Sequence, residues 1–314
     1  MEKMDLKNNL AVEATDLVKI FGDNHAVDGV DLKIQAGSIY GVLGPNGAGK
    51  TTTIRILATL LKPDAGTAKI FGYDVTKNPQ IVRQLIGLTG QYASVDEVLT
   101  ATENLVIFGR LLGLSQQAAS KRAKELLEEF SLNEAANLPL SKFSGGMRRR
   151  LDLAASLISQ PPLIFLDEPT TGLDPRTRNQ MWDTIRNLVK KGSTVVLTTQ
   201  YLDEADQLAD RIAVIDKGKV IAEGTPKELK ASVGVASLEL KLTNKANDAA
   251  TKKLIAEILK VESHLANGSI IAPLADPDQV TDLLIALKQA EIQLAEVSVK
   301  TPTLDEVFLA ITSK

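Results

Sequence analysis

The sequence predicts an α/β protein: one large domain on a parallel sheet, with an N-terminal β-subdomain and a helical insert, then a small α+β domain. Three observations predict it. Residues 39–43, 163–168 and 194–198 are short, nearly all apolar runs, as expected of strands buried on both faces of a parallel sheet. Helix-period patterns separate those runs and fill residues 102–160 with no strand between. The end of the chain then reads strand, helix, strand, strand, helix, strand, a split βαβ or ferredoxin-like order.

Composition sets the limits. At 314 residues the chain has room for a large domain and a small one. Its 44% hydrophobic content builds a sizeable core and excludes a disordered protein. The net charge of −3 and pI of about 5.6 argue against nucleic acid as a partner. Cysteine is absent, which rules out disulfides and thiolate metal sites and suits a reducing cytosol. His25 and His264 are far apart in sequence, so neither is assigned to a metal. The first ten residues lack the apolar core of a signal peptide. No run approaches the ~18–20 apolar residues of a membrane span. The expectation is a protein soluble by itself, linked to a membrane only through a partner.

The elements follow in order. Residues 11–20 and 27–34 alternate apolar and polar side chains, as half-buried strands do. Phe21-Gly22-Asp23-Asn24-His25 between them reads as a turn, in which Phe21 is either a core residue, as the sequence alone favours, or a flat surface for a base ahead of the phosphate loop. Residues 39–43 are a buried strand and 51–57 a helix. Pro63-Asp64-Ala65-Gly66-Thr67 is a turn leading to a strand through Phe71. Residues 81–85 are a short helix and 86–89 a strand that ends at Gly90-Gln91. A polar Gln at a strand's carboxyl end suits a ligand crevice, and an exposed loop equally well. In the helical stretch Leu105, Ile107, Phe108, Leu111 and Leu112 form one apolar stripe. Ala123, Leu126, Leu127 and Phe130 form another, with Glu125, Glu128 and Glu129 on the wet face. Ser144-Gly145-Gly146-Met147-Arg148-Arg149-Arg150 is followed by an apolar helix over 151–158. Arg148-Arg149-Arg150 reads as a solvated face.

After the strand at 163–168, Gly172-Leu173-Asp174-Pro175 is a turn, with Pro175 near the first position of the next helix. That helix runs to Lys191 and stops at Gly192. Residues 194–198 are a buried strand followed by Gln200, and 202–208 a short acidic helix. Lys217-Gly218 turns a hairpin between 212–215 and 220–222. The large domain is expected at 1–231, its helical insert at about 100–160, and the small domain at 232–314. The small domain has strands at 237–242, 261–265, 269–272 and 293–299 and helices at 248–259 and 278–290, with Asn267-Gly268 as a hairpin turn. A last helix, 303–311, carries Leu304, Val307, Phe308 and Ile311 on one face and is expected to dock on a protein surface.

Three stretches carry chemistry. Gly44-Pro45-Asn46-Gly47-Ala48-Gly49-Lys50-Thr51 fits the phosphate-binding pattern G-x-x-x-x-G-K-[ST] without mismatch, between a strand and a helix. The glycines let successive N–H groups point at an anion, and the helix adds the positive end of its dipole. Lys50 would reach the β- and γ-phosphates and the Thr51 hydroxyl would sit on Mg²⁺, with Thr52 next in the same site. Asp167 and Glu168 end a buried strand. Asp167 would hold Mg²⁺ through water, and Glu168 would orient or deprotonate the attacking water. Ser144-Gly145-Gly146, at a helix start, is either a second anion site or a simple N-cap.

With these motifs in this order, the sequence resembles the ATP-binding subunits of ABC transporters over residues 10–229. The resemblance implies a P-loop NTPase fold, the ABC ATPase cassette. Residues 44–51 look like Walker A, and 163–168 like Walker B with the catalytic glutamate. Gln91 matches the Q-loop glutamine, which in the family touches Mg²⁺ and faces the membrane partner. Ser144-Gly145-Gly146 matches the family signature, although Phe143 stands where Leu is usual and Met147 where Gln is usual. Leu173-Asp174 matches the D-loop. Phe21 matches the aromatic that stacks on adenine, which overturns its reading as core. Gln200 stands where the family has its switch histidine. The phrase Thr199-Gln200-Tyr201-Leu202-Asp203-Glu204-Ala205-Asp206 is similar to subunits of the daunorubicin/doxorubicin-resistance type. So are residues 144–153 and Pro302-Thr303-Leu304-Asp305-Glu306-Val307-Phe308-Leu309.

The resemblance implies ATP and Mg²⁺ as cofactors and an integral membrane permease on a separate polypeptide. It implies a place on the cytoplasmic face of the cell membrane. It also implies a second ATP-binding subunit facing the first head to tail, so that Ser144, Gly145, Gly146 and Asp174 complete the partner's ATP site. Complete motifs in one chain allow a homodimer. Gln can donate an amide N–H but cannot become cationic as His can, so hydrolysis is expected to persist through Glu168 and to be slow. Two alternatives stand beside the exporter motor: a soluble ABC ATPase acting on ribosomes or DNA, disfavoured by a single cassette and no basic surface, and an ATP-sensing switch with weak hydrolysis.

Overall fold

Alternating apolar and polar residues give β1 (Leu10–Phe21) and β2 (Asn24–Gln35), an antiparallel pair in which Phe21 faces Asn24 across the turn. The structure, a computed structural model, describes residues 10–89, 95–266 and 268–312. Phe21 is therefore the last strand residue, with the turn confined to Gly22 and Asp23. The chain continues through β3 (Ile39–Leu43), α1 (Lys50–Leu57), β4 (Ala65–Ile70), β5 (Tyr73–Asp74), α2 (Pro79–Leu85) and β6 (Ile86–Thr89). The two-residue β5 has no sequence pattern long enough to announce it. Helix α2 starts earlier than its apolar residues because Pro79 takes the first turn, where a missing N–H costs nothing.

The helical stretch holds α3 (Ala101–Leu111), α4 (Gln116–Glu129) and α5 (Gly145–Ser156). Then come β7 (Leu163–Asp167), α6 (Pro175–Lys190), β8 (Thr194–Thr199), α7 (Leu202–Leu208), β9 (Arg211–Asp216), β10 (Lys219–Gly224) and α8 (Pro226–Ala231). The main sheet has six strands in the order β10-β9-β3-β8-β7-β6, parallel except for the β9–β10 hairpin. The antiparallel sheet β2-β1-β4-β5 forms the N-terminal subdomain.

The main sheet is apolar on both faces, which is why its strands read as continuous runs. Ile164, Leu166, Val195 and Leu197 join the core under the helical insert. Their strand neighbours Leu163, Phe165 and Val196 join the core beneath α1 and the N-terminal sheet. Because β3, β6, β7 and β8 are parallel, all four end at one edge, and the phosphate loop and the two acids leave from that edge.

The chain divides into two compact units, Met1–Pro226 and Lys227–Lys314. The second contains β11 (Ala236–Leu242), α9 (Asp248–Ile258), β12 (His264–Ala266), β13 (Ser269–Leu274), α10 (Gln279–Gln289), β14 (Leu294–Lys300) and α11 (Leu304–Thr312). Its strands are antiparallel in the order β12-β13-β11-β14, the ferredoxin-like arrangement. Strand β12 is shorter and later than the run at 261–265, and Asn267 lies outside the described residues. On α11, Leu304 and Val307 are buried and Phe308 and Ile311 half-buried, the expected face. This unit has its own core, in which Leu238, Leu240, Ile270 and Ala272 pack with Ile255, Leu283 and Leu287.

That separate core gives a testable outcome. Leu240→Ala is expected to destabilise the C-terminal unit by about 2–5 kcal/mol. Calorimetry should show an earlier transition for that unit, with the transition of the first unit kept.

Candidate active site

The phosphate loop is shaped by space as much as by flexibility. Gly49 caps α1 at φ 106°, and a Cβ there would lie 2.2 Å from the Ala26 carbonyl oxygen. A Cβ at Gly44 would lie 2.2 Å from the Ile215 carbonyl oxygen. Pro45, Asn46 and Gly47 are exposed at the crest, and Ala48 is buried. The first N–H groups of α1 have no partner within the helix and face out of its positive end. Thr51 and Thr52, in the first turn, are half-buried.

Lys50 is 5% exposed and folds back over the loop. Its Nζ donates to the carbonyls of Gly44 at 2.7 Å and Pro45 at 3.0 Å, and lies 3.9 Å from Glu168 Oε1. Burial pushes the ammonium down from its ordinary value, while Glu168 and Asp167 pull it back up. The Thr51 hydroxyl donates to both carboxylate oxygens of Asp167, at 3.2 and 3.1 Å.

The phosphate loop and the two acids are not on neighbouring strands, because β8 lies between β3 and β7. Thr198 of β8 spans the gap. Its hydroxyl donates to Asp167 Oδ1 at 2.5 Å and accepts from the Glu168 N–H at 3.0 Å. Glu168 has φ 50°, a left-handed conformation unfavourable for a side chain of its kind. Thr171 Oγ1 donates to its Oε2 at 3.2 Å. Two residues beyond Glu168, Thr170 donates to the buried Glu204 at 2.8 Å, and Trp182 Nε1 donates to the same oxygen at 3.3 Å. Burial pushes the Glu204 carboxyl up, partly offset by hydrogen bonds from Thr199, Thr170 and Trp182.

A second group gathers at the start of α5. Ser144 is its N-cap, accepting from the Met147 N–H at 3.3 Å, and Gly145 is exposed in front. The helix therefore begins at Gly145 rather than with the apolar residues that follow. Gly146 packs so tightly against α6 that a Cβ would lie 2.7 Å from Thr177 Cγ2. Asp174 caps α6 by accepting from the Thr177 hydroxyl at 2.6 Å and its N–H at 3.0 Å, which hold its carboxyl below the usual range. Gln200 is exposed just past β8. Phe21 is 49% exposed, which excludes the core placement, and Lys19 Nζ lies 5.6 Å from its ring centroid. Gln91 lies outside the described residues.

The arginine run is not a solvated face. All three side chains are half-buried. Arg148 pairs with Glu97, Arg149 donates to carbonyls at the end of β7, and Arg150 donates to the Phe130 carbonyl at 2.9 Å. Thr198 and Arg149 are the residues that sequence reading left out of the site.

A phosphate loop between β3 and α1, with two acids at the end of β7, defines a P-loop nucleotide triphosphatase. The chain belongs to the ATP-binding proteins of the ABC transporter family, and so is an ATP hydrolase coupled to transport. Residues 27–171 match the ABC transporter family, and residues 224–312 match the C-terminal domain of DrrA1-3-like ATP-binding proteins. The chain is 54% identical to the daunorubicin/doxorubicin resistance ATP-binding protein DrrA of Streptomyces peucetius, over 98% of this chain and 94% of that one. It is 46% identical to the doxorubicin resistance ATP-binding protein DrrA of Mycobacterium tuberculosis, over 98% and 95%. Among solved structures it resembles a dimeric ATP-binding cassette in a post-hydrolysis state with ADP and Pi, with a TM-score of 0.63 at 28% identity. That match covers 68% of this chain and 98% of the other. These relatives lend no support to the ATP-sensing switch. Among the described residues no helix is long and apolar enough to cross a membrane.

A cavity of about 450 Å³ lies between α5 and the residues after β7, with Asp152 in its wall. Burial pushes the Asp152 carboxyl up from 3.8 to about 6, against the pull of Arg149 and Arg148. The folded chain thus holds this proton more tightly than the unfolded chain does. The resulting stability is present below pH 3.8 and is lost as pH rises through about 6. Asp152→Asn is expected to remove that loss, gaining at most about 3 kcal/mol over the wild type at neutral pH and little in acid. Urea unfolding of both proteins across that range checks it.

Proposed function

We propose that the chain is the motor of an exporter, peripheral to the cytoplasmic face of the membrane, working with a separate membrane permease. The exported molecule is drug-like or lipophilic. Two relatives named for daunorubicin or doxorubicin resistance, matched over nearly their whole length, support that class. The observation that carries the catalytic reading is the cluster of Lys50, Thr51, Asp167 and Glu168 at one sheet edge beside the phosphate loop.

The loop N–H groups and Lys50 hold the phosphates, and Phe21 stacks on the adenine. Mg²⁺ fits the pair of hard oxygen donors on Thr51 and Asp167. Among the described residues no three His, Cys, Asp or Glu side chains gather to hold a metal alone. Bound there, Mg²⁺ would supply positive charge to the phosphate oxygens. Glu168 orients the attacking water and takes its proton as the water oxygen bonds to the γ-phosphorus and the ADP oxygen leaves. Gln200 donates an amide N–H toward the γ-phosphate.

The site is completed by a second copy facing head to tail. Its Ser144-Gly145-Gly146 helix start, held beside Asp174, presents N–H groups and a positive dipole to the γ-phosphate. ATP then favours the closed dimer, and loss of the γ-phosphate releases it. That opening and closing drives the permease.

Glu168→Gln is expected to lower ATP turnover by about 100-fold or more, while ATP and Mg²⁺ hold the variant as a dimer in light scattering. Unchanged turnover, or monomers only, overturns the reading. Gln200→Ala is expected to slow turnover without loss of ATP affinity, as steady-state kinetics would show. With the permease co-expressed, the wild type should lower cellular accumulation of a fluorescent anthracycline, and Lys50→Ala should not.

A further inference from the structure

Arg149 lies on the second turn of α5, the helix whose start carries Ser144 and Gly145. Its side chain reaches the end of β7. There one guanidinium holds three successive backbone carbonyls: Nη2 donates to Asp167 at 2.7 Å and Glu168 at 3.0 Å, and Nε donates to Pro169 at 3.1 Å. These three residues are the tight turn that aims Glu168.

That turn needs holding. Glu168 sits at φ 50°, and a side chain in this region persists only where its surroundings fix it. Thr198 fixes the N–H side, accepting from the Glu168 N–H through both its carbonyl at 3.1 Å and its hydroxyl at 3.0 Å. Arg149 fixes the carbonyl side. The planar fork suits this task, because it presents several donors in fixed directions.

We propose that Arg149 is a positioning residue that ties the helix facing the partner's nucleotide to the Glu168 carboxylate acting on the chain's own nucleotide. This rests on the head-to-tail reading above. When the start of α5 engages a nucleotide across the interface, Arg149 carries the shift to the turn at Glu168. Each site is thereby aligned by the filling of the other. Arg149 touches neither substrate nor the reacting atoms.

Arg149→Gln is expected to lower kcat about tenfold or more with KM for ATP little changed. Arg149→Lys, which keeps charge and donors but loses the fork, should recover part of that loss. Mixed dimers of full-length copies with two different tags assign the direction of the effect. The reference pairs a wild-type copy with a Glu168→Gln copy, so one site works. In the first test dimer, Arg149→Gln is placed on the copy that keeps Glu168. In the second, it is placed on the copy that carries Glu168→Gln.

The proposal expects the first dimer to lose most of the reference turnover and the second to keep at least about half of it. The reverse pattern assigns Arg149 to capping the partner's nucleotide and overturns the proposal. Equal losses, or none, overturn it as well. If the Glu168→Gln homodimer hydrolyses ATP normally, or no mixed dimer forms, the dimeric site reading has failed and the proposal falls with it.

Discussion

A triphosphate must settle beside two carboxylates. Asp167 and Glu168 stand at the sheet edge from which the phosphate loop leaves, and like charges at close range repel strongly unless compensated. In the chain alone the compensation comes from the Lys50 ammonium, buried and within 3.9 Å of Glu168, and from the Arg149 guanidinium on the backbone of the same turn. The loop N–H groups and the dipole of α1 add to it. Much of the architecture follows from this imbalance: a parallel sheet that brings every strand's carboxyl end to one edge, a hydroxyl to share with a cation, and a helix start available to a second copy.

The acids are held at different strengths. Asp167 is fixed by two hydroxyls, from Thr51 and Thr198, and sits on the last residue of a buried strand. Glu168 lies just beyond, with a single hydroxyl on its carboxylate and its backbone gripped from both sides. A metal ligand gains from being fixed, whereas a general base must follow the water it serves. The division suits the roles given to the two residues.

The phosphate loop was legible because its parts are contiguous, and the central strands β3, β7 and β8 because both their faces are buried. The C-terminal strand order was legible from alternating patterns and turns, apart from β12, which is three residues long. What stayed hidden arises from three-dimensional neighbourhood. Thr198 owes its part to β8 falling between β3 and β7, an order no local pattern states. Arg148, Arg149 and Arg150 look like one charged patch, yet successive residues on a helix point about 100° apart. They reach three different partners, on Glu97, at the end of β7 and at Phe130. Phe21 reads as core because it is large and apolar, and it escapes the core because it ends β1 at the hairpin turn.

The twisted backbone at Glu168 sets durability against action. Glycine would occupy that conformation with no steric cost and relieve the neighbours of restraining it. It would also delete the proton acceptor. Among random variants of this codon, the most comfortable folders are thus the ones least able to work. Where the cell no longer needs the pump, drift should erode this residue before it erodes the buried strand leading up to it.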